Sequence, residues 1–561
     1  MDRIWLGQYP AGIAAEVDID EHASLTEIFE KTCARHRDRT AFSNMGGKLT
    51  FAQLDSETRS FAAYLQQVLQ MNKGERLAIM MPNLLQYPIA MFGALRAGLT
   101  VVNCNPLYTA RELEHQLKDS GATAIVVLEN FAHTLQEVLA RTPVKTVITT
   151  QVGDLLPALK GLITNLVVKH VKHMVPDWHI EGAVAFKAAL AAGSRHTLTP
   201  VPQSHEDVAF LQYTGGTTGV AKGAILTHRN MVANLQQASA WIAKNMVEGS
   251  EIVVIPLPLY HILSLTVSLI FFKLGSHLVL ITNPRDLPAF IHELGKVRFT
   301  VILGVNTLFH ALLNSPGFAE AAGRRTLKLA FAGGMAVQQA VAKKWEALTG
   351  APLIEGYGLT ETSPVVTGNP LDIKEWTGTI GLPIPSTEVS ILDDAGKALP
   401  VGEVGEICVR GPQVMRGYWN RPQETEKAFI GGWFRTGDMG FMDPRGYFKI
   451  TDRKKDMILV SGFNVYPNEV EDIVMTHPGV MEVAAIGAPD ERSGEVVKIV
   501  VVRKDPDLTV EALLIHCRKH LTGYKVPKIV EFRTEPLPKT NIGKVLRRLL
   551  REQSASTRPA P

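Results

Sequence analysis

The chain has 561 residues, of which 46% are apolar, 20% charged and 7% aromatic. This ordinary globular composition excludes a mainly disordered, collagen-like or disulfide-scaffold protein, and the length predicts roughly two to four domain-sized units. The 58 basic and 55 acidic residues leave a net charge of +3, too balanced to indicate a nucleic-acid binder. The four cysteines are far apart in the sequence, which predicts reduced thiols in a cytoplasmic protein.

Short β-branched apolar runs alternate with helix-like stretches through most of the chain, which predicts an α/β fold with largely parallel sheets. The clearest predicted strands are residues 76–81, 123–127, 146–149, 251–255, 278–281 and 300–303. From Val389 onward, strand-like runs separated by turns predict a small antiparallel or barrel-like section.

Two segments raise the question of membrane contact. Residues 252–272 have no charged side chain, but prolines interrupt them, and the apolar piece after His261 falls short of the roughly 20 residues that span a bilayer. This segment predicts a buried strand, a proline-rich loop and a core helix. Residues 155–174 mix apolar side chains with three lysines. They predict either a basic amphipathic helix on a membrane surface or a helix whose apolar face packs on the core.

A dense charge run at residues 452–456 stands between two strand-like runs. It is interpreted either as a solvated turn or as a domain linker. Beyond it, an αββαβ pattern predicts a separate α+β domain of about 100 residues. The chain is therefore expected to divide into residues 1–451, a connection at 452–456, and residues 457–561.

The strongest local motif is YTGGTTGVAKG at residues 213–223. Its glycines permit close backbone approach, and its hydroxyls and ammonium group are what a polyphosphate needs. The lysine spacing differs from that of a Walker A loop, because Lys222 precedes a glycine. The motif predicts a phosphate-binding loop, with a flexible turn as the alternative. The candidate residues are Thr214, Gly215, Gly216, Thr217, Thr218, Gly219 and Lys222.

Three weaker motifs follow in the sequence: EGYGLTET at residues 355–362, GWFRTGD at 432–438 and PKTNIGK at 538–544. Each taken singly is also typical of ordinary structure, namely a helix cap, a turn aspartate or a solvated lysine. In this order and spacing the four motifs together are highly specific.

On these motifs the chain resembles the adenylate-forming superfamily of acyl-CoA synthetases, peptide-synthetase adenylation domains and luciferase-like enzymes. The resemblance runs essentially end to end, and within the superfamily the chain is most similar to the bacterial long-chain fatty acid–CoA ligases that prime β-oxidation. The segments that carry this closer match are residues 213–223, 256–261, 283–286, 356–361, 432–438, 452–467 and 521–527.

The resemblance implies a large N-terminal domain of α/β subdomains with a β-barrel-like section, followed by a small mobile α+β lid. It also implies a two-step reaction through enzyme-bound acyl-AMP, in which a long-chain fatty acid, ATP and CoA give acyl-CoA, AMP and pyrophosphate. An adenylating enzyme for another carboxylic acid, or one that acylates a carrier-protein thiol, stays open as the alternative.

The resemblance further implies roles for individual residues. The loop from Thr214 to Lys222 would hold the ATP phosphates and then pyrophosphate, and Asp438 with Arg453 would hold the ribose. The residues expected around the adenine are Gly333, Gly334, Gly356 and Tyr357, and Gly358 is a further ATP-binding candidate.

The remaining implied roles concern catalysis and CoA. Glu361, with Thr214 nearby, would bind Mg²⁺, and Thr360 would touch the α-phosphate. Lys544 would be the mobile lysine of the adenylation step. The two residues expected to serve the lid movement and the CoA path are the hinge residue Lys455 and Gly462.

His261 has two interpretations of similar weight, a gate near the acyl substrate or a core histidine. The expected location is the cytoplasm, with peripheral contact at the inner face of the cytoplasmic membrane left open. The oligomeric state is open as well, a homodimer being one alternative.

Overall fold

The computed structural model describes residues 3–214, 221–322, 326–373, 375–461, 463–490, 492–540 and 543–556. Within these ranges, no helix combines the length and the apolarity that crossing a bilayer requires.

The α-helices are α1 (Leu25–Arg35), α2 (Phe51–Ala63), α3 (Gln86–Arg96), α4 (Ala110–Ser120), α5 (Ala132–Val138), α6 (Ala158–Leu166), α7 (Phe186–Gly193), α8 (His228–Ile242), α9 (Ile262–Lys273), α10 (Leu287–Gly295), α11 (Asn306–Leu313), α12 (Phe318–Ala322), α13 (Gln339–Thr349), α14 (Pro422–Lys427), α15 (Pro467–Met475), α16 (Val510–His520) and α17 (Arg547–Ser556).

The strands are β1 (Thr40–Asn44), β2 (Gly47–Thr50), β3 (Arg76–Met80), β4 (Thr100–Asn103), β5 (Ala124–Leu128), β6 (Thr146–Thr150), β7 (Val184–Ala185), β8 (Val208–Thr214), β9 (Lys222–Thr227), β10 (Ile252–Ile255), β11 (His277–Leu280), β12 (Val301–Gly304), β13 (Leu329–Ala332), β14 (Leu353–Gly358), β15 (Val365–Gly368), β16 (Leu382–Pro383), β17 (Glu388–Leu392), β18 (Gly405–Arg410), β19 (Phe429–Ile430), β20 (Trp433–Met442), β21 (Phe448–Arg453), β22 (Ile458–Val460), β23 (Phe463–Val465), β24 (Val480–Asp490), β25 (Gly494–Arg503) and β26 (Ile529–Arg533).

Two large sheets confirm the predicted α/β fold. One has the order β7-β6-β5-β3-β4-β8-β9 and the other β16-β15-β14-β13-β12-β10-β11-β1-β2. Pairs in the middle of both sheets are parallel, and antiparallel pairs stand at the edges. The carboxyl ends of parallel strands share one edge of a sheet, so the loops that follow those strands are brought together.

The described residues form two compact units. One comprises the described residues within 9–388 and 410–428, and the other comprises those within 1–8, 389–409 and 429–561. The second unit holds the predicted antiparallel section as strands β17 to β21, and the predicted αββαβ pattern as α15, β24, β25, α16 and β26. The domain boundary placed at residues 452–456 stays a prediction.

The uncharged segment 252–272 folds as the sequence predicts. It forms strand β10 and helix α9, and every α9 residue from Ile262 to Phe272 is buried. Since apolar side chains surround the whole helix, its place is inside the fold.

The core-facing interpretation of residues 155–174 is wrong. Helix α6 continues into a π-helical turn at Val167–Val171, and over α6 and this turn Gly161 is the one buried residue. Small and polar groups make the attachment, because Gly161 lets the helix approach the loop at Gly153, and Asn165 accepts a 2.7 Å hydrogen bond from the Gly153 amide. The apolar side chains consequently face solvent.

The charge run at residues 452–456 is not simply a solvated turn. Asp452 lies at the end of β21 and is fully buried. Its carboxylate stands 3.2 Å from the Arg547 guanidinium and accepts a 2.7 Å hydrogen bond from the Asn468 amide. Partners that are distant in the sequence thus bind Asp452 in the interior, although its local sequence is typical of a surface turn.

Candidate active site

The predicted phosphate loop begins and ends on a β-hairpin. Thr214 and Lys222 face each other in the antiparallel pairing of β8 with β9, and Tyr213 faces Gly223. The Tyr213 hydroxyl donates a 2.7 Å hydrogen bond to the Asp119 carboxylate at the end of α4. The hairpin base is therefore fixed to a neighbouring helix. The five loop candidates Gly215, Gly216, Thr217, Thr218 and Gly219 lie outside the described residues.

Lys222 lies in a chain of polar contacts that reaches Glu361. Its ammonium forms an ion pair with Glu424 on α14 and lies 5.3 Å from the centre of the Tyr418 ring. The Tyr418 hydroxyl donates a 2.7 Å hydrogen bond to Oε1 of Glu361. The structure thus joins the phosphate loop to the second predicted motif through residues 418–424.

Glu361 follows β14 in a short 3₁₀ turn, Thr360–Thr362, and its carbonyl accepts a 2.8 Å hydrogen bond from the Met415 amide. Within the described ranges, no group of three or more His, Cys, Asp or Glu side chains could hold a metal. A lone carboxylate still fits Mg²⁺, which keeps several waters and binds through one or two carboxylates plus substrate phosphates. Glu361 and the Thr214 hydroxyl are the groups here that suit such a site.

The glycines expected around the adenine lie at the ends of two neighbouring strands. Gly333 and Gly334 follow β13, Gly356 belongs to β14, and these strands are parallel. A Cβ at position 333 would stand 3.0 Å from Leu263, and one at position 356 would stand 2.5 Å from the Phe331 ring. Close packing alone therefore favours a small residue at both positions, and the adenine role stays a prediction.

For Tyr357 and Gly358 as well, the structure shows how the residue packs, while its role in nucleotide binding stays a prediction. A Cβ at Gly358 would stand 1.9 Å from the carbonyl oxygen of Pro364, and Tyr357 is half-buried in β14. Both residues lie between Gly356 and the Thr360–Thr362 turn, so these nucleotide candidates share one continuous segment with Glu361.

His261 caps the N-terminus of α9, where its Nδ1 accepts a 3.3 Å hydrogen bond from the Leu263 amide. Burial lowers the pKa of this histidine to about 4, so the side chain is neutral near pH 7. The cap gives His261 a structural role, and the gate role stays a prediction.

The smaller unit brings Asp438, Arg453 and Lys544 together. Asp438 is buried and faces Arg453 across the β20–β21 ladder, with 2.6 Å between its Oδ1 and the guanidinium Nε. Burial and the Arg453 charge lower the pKa of Lys544 to about 8, against an opposing effect of Asp438. Lys455 is exposed in the turn after β21, and Gly462 lies outside the described residues.

Sequence reasoning missed residues 418–424. Tyr418 is 57 positions from its partner Glu361, and Glu424 is 202 positions from Lys222. The sequence RGYWNRP at 416–422, two aromatics among glycine, proline and arginines, is the signal that could have drawn attention to this segment.

Comparison with known proteins agrees with this architecture. The AMP-binding enzyme model matches residues 29–419, and the model of the AMP-binding enzyme C-terminal domain matches residues 469–544. The chain belongs to the AMP-binding enzyme family.

Two curated relatives match nearly end to end. The chain is 56% identical to a long-chain-fatty-acid–CoA ligase of Escherichia coli O6:H1, over 99% of each chain. It is 57% identical to the ligase of the same name from Yersinia pestis, over 99% of this chain and 98% of the relative. Among solved structures, the anthranilate CoA ligase AuaEII in complex with anthranoyl-AMP is similar with a TM-score of 0.83 and 25% identity, over 96% of this chain and 99% of that one.

Proposed function

We propose that the chain is an ATP-dependent long-chain fatty acid–CoA ligase that works through an enzyme-bound acyl-AMP and supplies acyl-CoA for β-oxidation. The observation that carries this proposal is the near full-length identity of 56–57% to ligases of that name. The AMP-binding family and an acyl-AMP complex of a similar fold support the adenylate route.

In the first step, the fatty acid carboxylate attacks the α-phosphorus of ATP and pyrophosphate leaves. A carboxylate is already ionised near pH 7, so the step needs no general base. It needs positioning and charge neutralisation, because nucleophile and electrophile are both anionic. Lys222 would neutralise the leaving phosphates, Lys544 the reacting centre, and Thr360 would position the α-phosphate.

Glu361 and Thr214 are the residues that would hold Mg²⁺. When bound, the ion supplies charge neutralisation to the phosphate oxygens. Tyr418 keeps the Glu361 carboxylate in place through its 2.7 Å hydrogen bond. Asp438 and Arg453, already paired in the fold, would hold the ribose hydroxyls.

In the second step, the CoA thiol attacks the acyl carbonyl of acyl-AMP, and AMP leaves. A free thiol with a pKa of about 8.5 is a few per cent thiolate at neutral pH, which suits attack on a mixed anhydride. No catalytic base is assigned. We place the thiol path beside Gly462 and the lid hinge at Lys455.

The test is incubation of the purified protein with ATP, Mg²⁺ and carboxylic acids from acetate to oleate, plus benzoate, with and without CoA. Mass spectrometry follows AMP, acyl-AMP and thioester. A CoA-dependent thioester that peaks at long chains is the expected result. Acyl-AMP that accumulates without transfer to CoA would instead indicate another acceptor, such as a carrier-protein thiol.

Peripheral membrane contact is the second part of the proposal, and the surface of α6 and the turn after it supports it. Leu159, Leu162 and Val171 are 72%, 60% and 70% exposed. Lys160, Lys169 and Lys172 lie among these apolar side chains. A helix with outward apolar side chains beside lysines matches an anionic bilayer surface, where long-chain fatty acids partition.

Co-sedimentation with phosphatidylcholine vesicles, with or without phosphatidylglycerol, tests this contact. Binding should require phosphatidylglycerol and should be lost in the triple variant of Lys160, Lys169 and Lys172 to Glu. The matched control changes the exposed Lys343 and Lys344 of α13 to Glu and should bind as the wild type does. Equal binding of the triple variant would contradict the proposal.

A further inference from the structure

We infer that Glu424 is a built-in competitor of the polyphosphate: its carboxylate holds Lys222 in the absence of nucleotide and takes the lysine back when pyrophosphate leaves. This inference rests on the proposed function, because it takes Lys222 as the phosphate-binding lysine. It adds a residue that no motif of the sequence indicates.

The first observation is the pairing itself. The Lys222 ammonium and the Glu424 carboxylate are in direct contact, and their side chains are 24% and 37% exposed. Lys222 lowers the pKa of Glu424, so the carboxylate is ionised near neutral pH. A phosphate that binds Lys222 therefore competes with an anion that already contacts this ammonium.

The second observation is that the fold anchors the helix that carries Glu424. Glu424 lies in α14, whose Thr425 hydroxyl accepts a 2.9 Å hydrogen bond from the Tyr418 amide. Arg421, which precedes the helix, forms a 2.7 Å ion pair with Asp119. Because α14 is anchored at both points, the backbone of Glu424 stays in place while the lysine changes partner.

The third observation is that the segment leading to Glu424 is attached to the strand that carries Lys222. The Trp419 amide donates a 2.8 Å hydrogen bond to the Gly223 carbonyl, and the Ile225 amide donates one of 2.9 Å to the Gly417 carbonyl. Residues 417–425 are thus attached to β9, the strand on which Lys222 lies. The competitor and the lysine belong to one locally continuous structure.

Exposed or half-exposed ion pairs contribute about 0.2–1 kcal/mol, which corresponds to a change in affinity of about 1.5- to 5-fold. Loss of the competitor should therefore tighten the binding of pyrophosphate and of ATP by that factor. A residue with a merely structural role would, when changed, weaken binding or leave it unaltered.

The experiment measures the dissociation constants of inorganic pyrophosphate and ATP by titration calorimetry, with Mg²⁺ and without fatty acid or CoA. Glu424→Gln and Glu424→Ala should both bind pyrophosphate more tightly than the wild type. Steady-state assays should show a lower KM for ATP and stronger product inhibition by pyrophosphate. The matched control is Glu426→Gln on the same helix, which removes the same charge and should change neither constant by more than the experimental error.

A double-variant comparison separates competition from a general charge effect. In the Lys222→Gln background, Glu424→Gln should no longer tighten pyrophosphate binding, since the carboxylate then no longer competes for the phosphate-binding lysine; its other lysine partner is Lys427, at 3.6 Å. Equal tightening in both backgrounds, or weaker binding in the Glu424 variants, would overturn the inference. A wild-type protein that binds neither ATP nor pyrophosphate would overturn the proposed function as well.

Discussion

At the scale of single residues, Lys544 combines a charge that the proposed adenylation step needs with a pKa close to physiological pH. Burial and the charge of Arg453 lower the pKa of this lysine to about 8, because both disfavour its protonated form. Asp438 opposes the shift but does not cancel it. The charge on Lys544 can therefore be titrated under conditions in which most enzymes stay folded.

Adenylation should consequently weaken as the pH rises. Lys544 is protonated below its pKa, so the rate of acyl-AMP formation should be high below pH 8 and should fall as the pH passes through about 8. In Lys544→Arg the cation persists at higher pH, and this fall should disappear even where the absolute rate is lower. Pre-steady-state formation of oleoyl-AMP between pH 6 and pH 10 measures both profiles, and a flat wild-type profile would contradict the assignment.

At the scale of elements, the helix that follows Lys544 begins with an arginine that pairs with three carboxylates. Arg547, the first residue of α17, forms ion pairs with Asp452, Asp456 and Glu471. Burial raises the pKa of both Asp452 and Glu471, and Arg547 counteracts this shift. The arginine therefore connects the charge run at residues 452–456, helix α15 and the C-terminal helix.

Arg547→Met should destabilise this part of the protein strongly. Removing one partner of a buried ion pair leaves an uncompensated charge and costs about 3–5 kcal/mol. Hydrogen exchange of the amides in α15 and β24 should report the loss as faster exchange. The neighbouring Arg548 provides the control, because its pair with Glu552 is exposed and Arg548→Met should change stability by less than about 1 kcal/mol. Equal effects of the two substitutions would contradict this account.

The secondary-structure elements also show how much of the fold can be predicted from the sequence. The pattern of apolar runs placed strands such as β3, β5 and β6 within a residue or two, because periodicity is a local property. It failed for α6, where the contact with the body of the protein is made by Gly161 and Asn165 while the leucines face outward. Periodicity identifies an apolar face but not what that face meets.

At the scale of the whole molecule, motif order predicted the family, and the comparisons confirm it. The individual partners could not be predicted in the same way. Asp438 and Arg453 share a hairpin and lie opposite each other, whereas Glu424 and Asp452 meet partners 202 and 95 positions away. Such contacts depend on how distant segments pack against each other. The local pattern of a single sequence does not specify this packing.

The two proposed half-reactions, adenylation and transfer to CoA, should also respond differently to the loss of Lys544. If Lys544 neutralises charge only during attack on the α-phosphorus, Lys544→Ala should lower the rate of acyl-AMP formation by about 10²-fold or more. The same variant should transfer the acyl group from supplied oleoyl-adenylate to CoA at close to the wild-type rate, because that step brings an uncharged carbonyl to a thiol and uses no cation at this position. Single-turnover assays of the two half-reactions, followed by mass spectrometry, compare them directly. A parallel loss of both would mean that Lys544 supports the fold of the smaller unit rather than one step of the chemistry, and unfolding curves of the variant would then show a matching loss of stability.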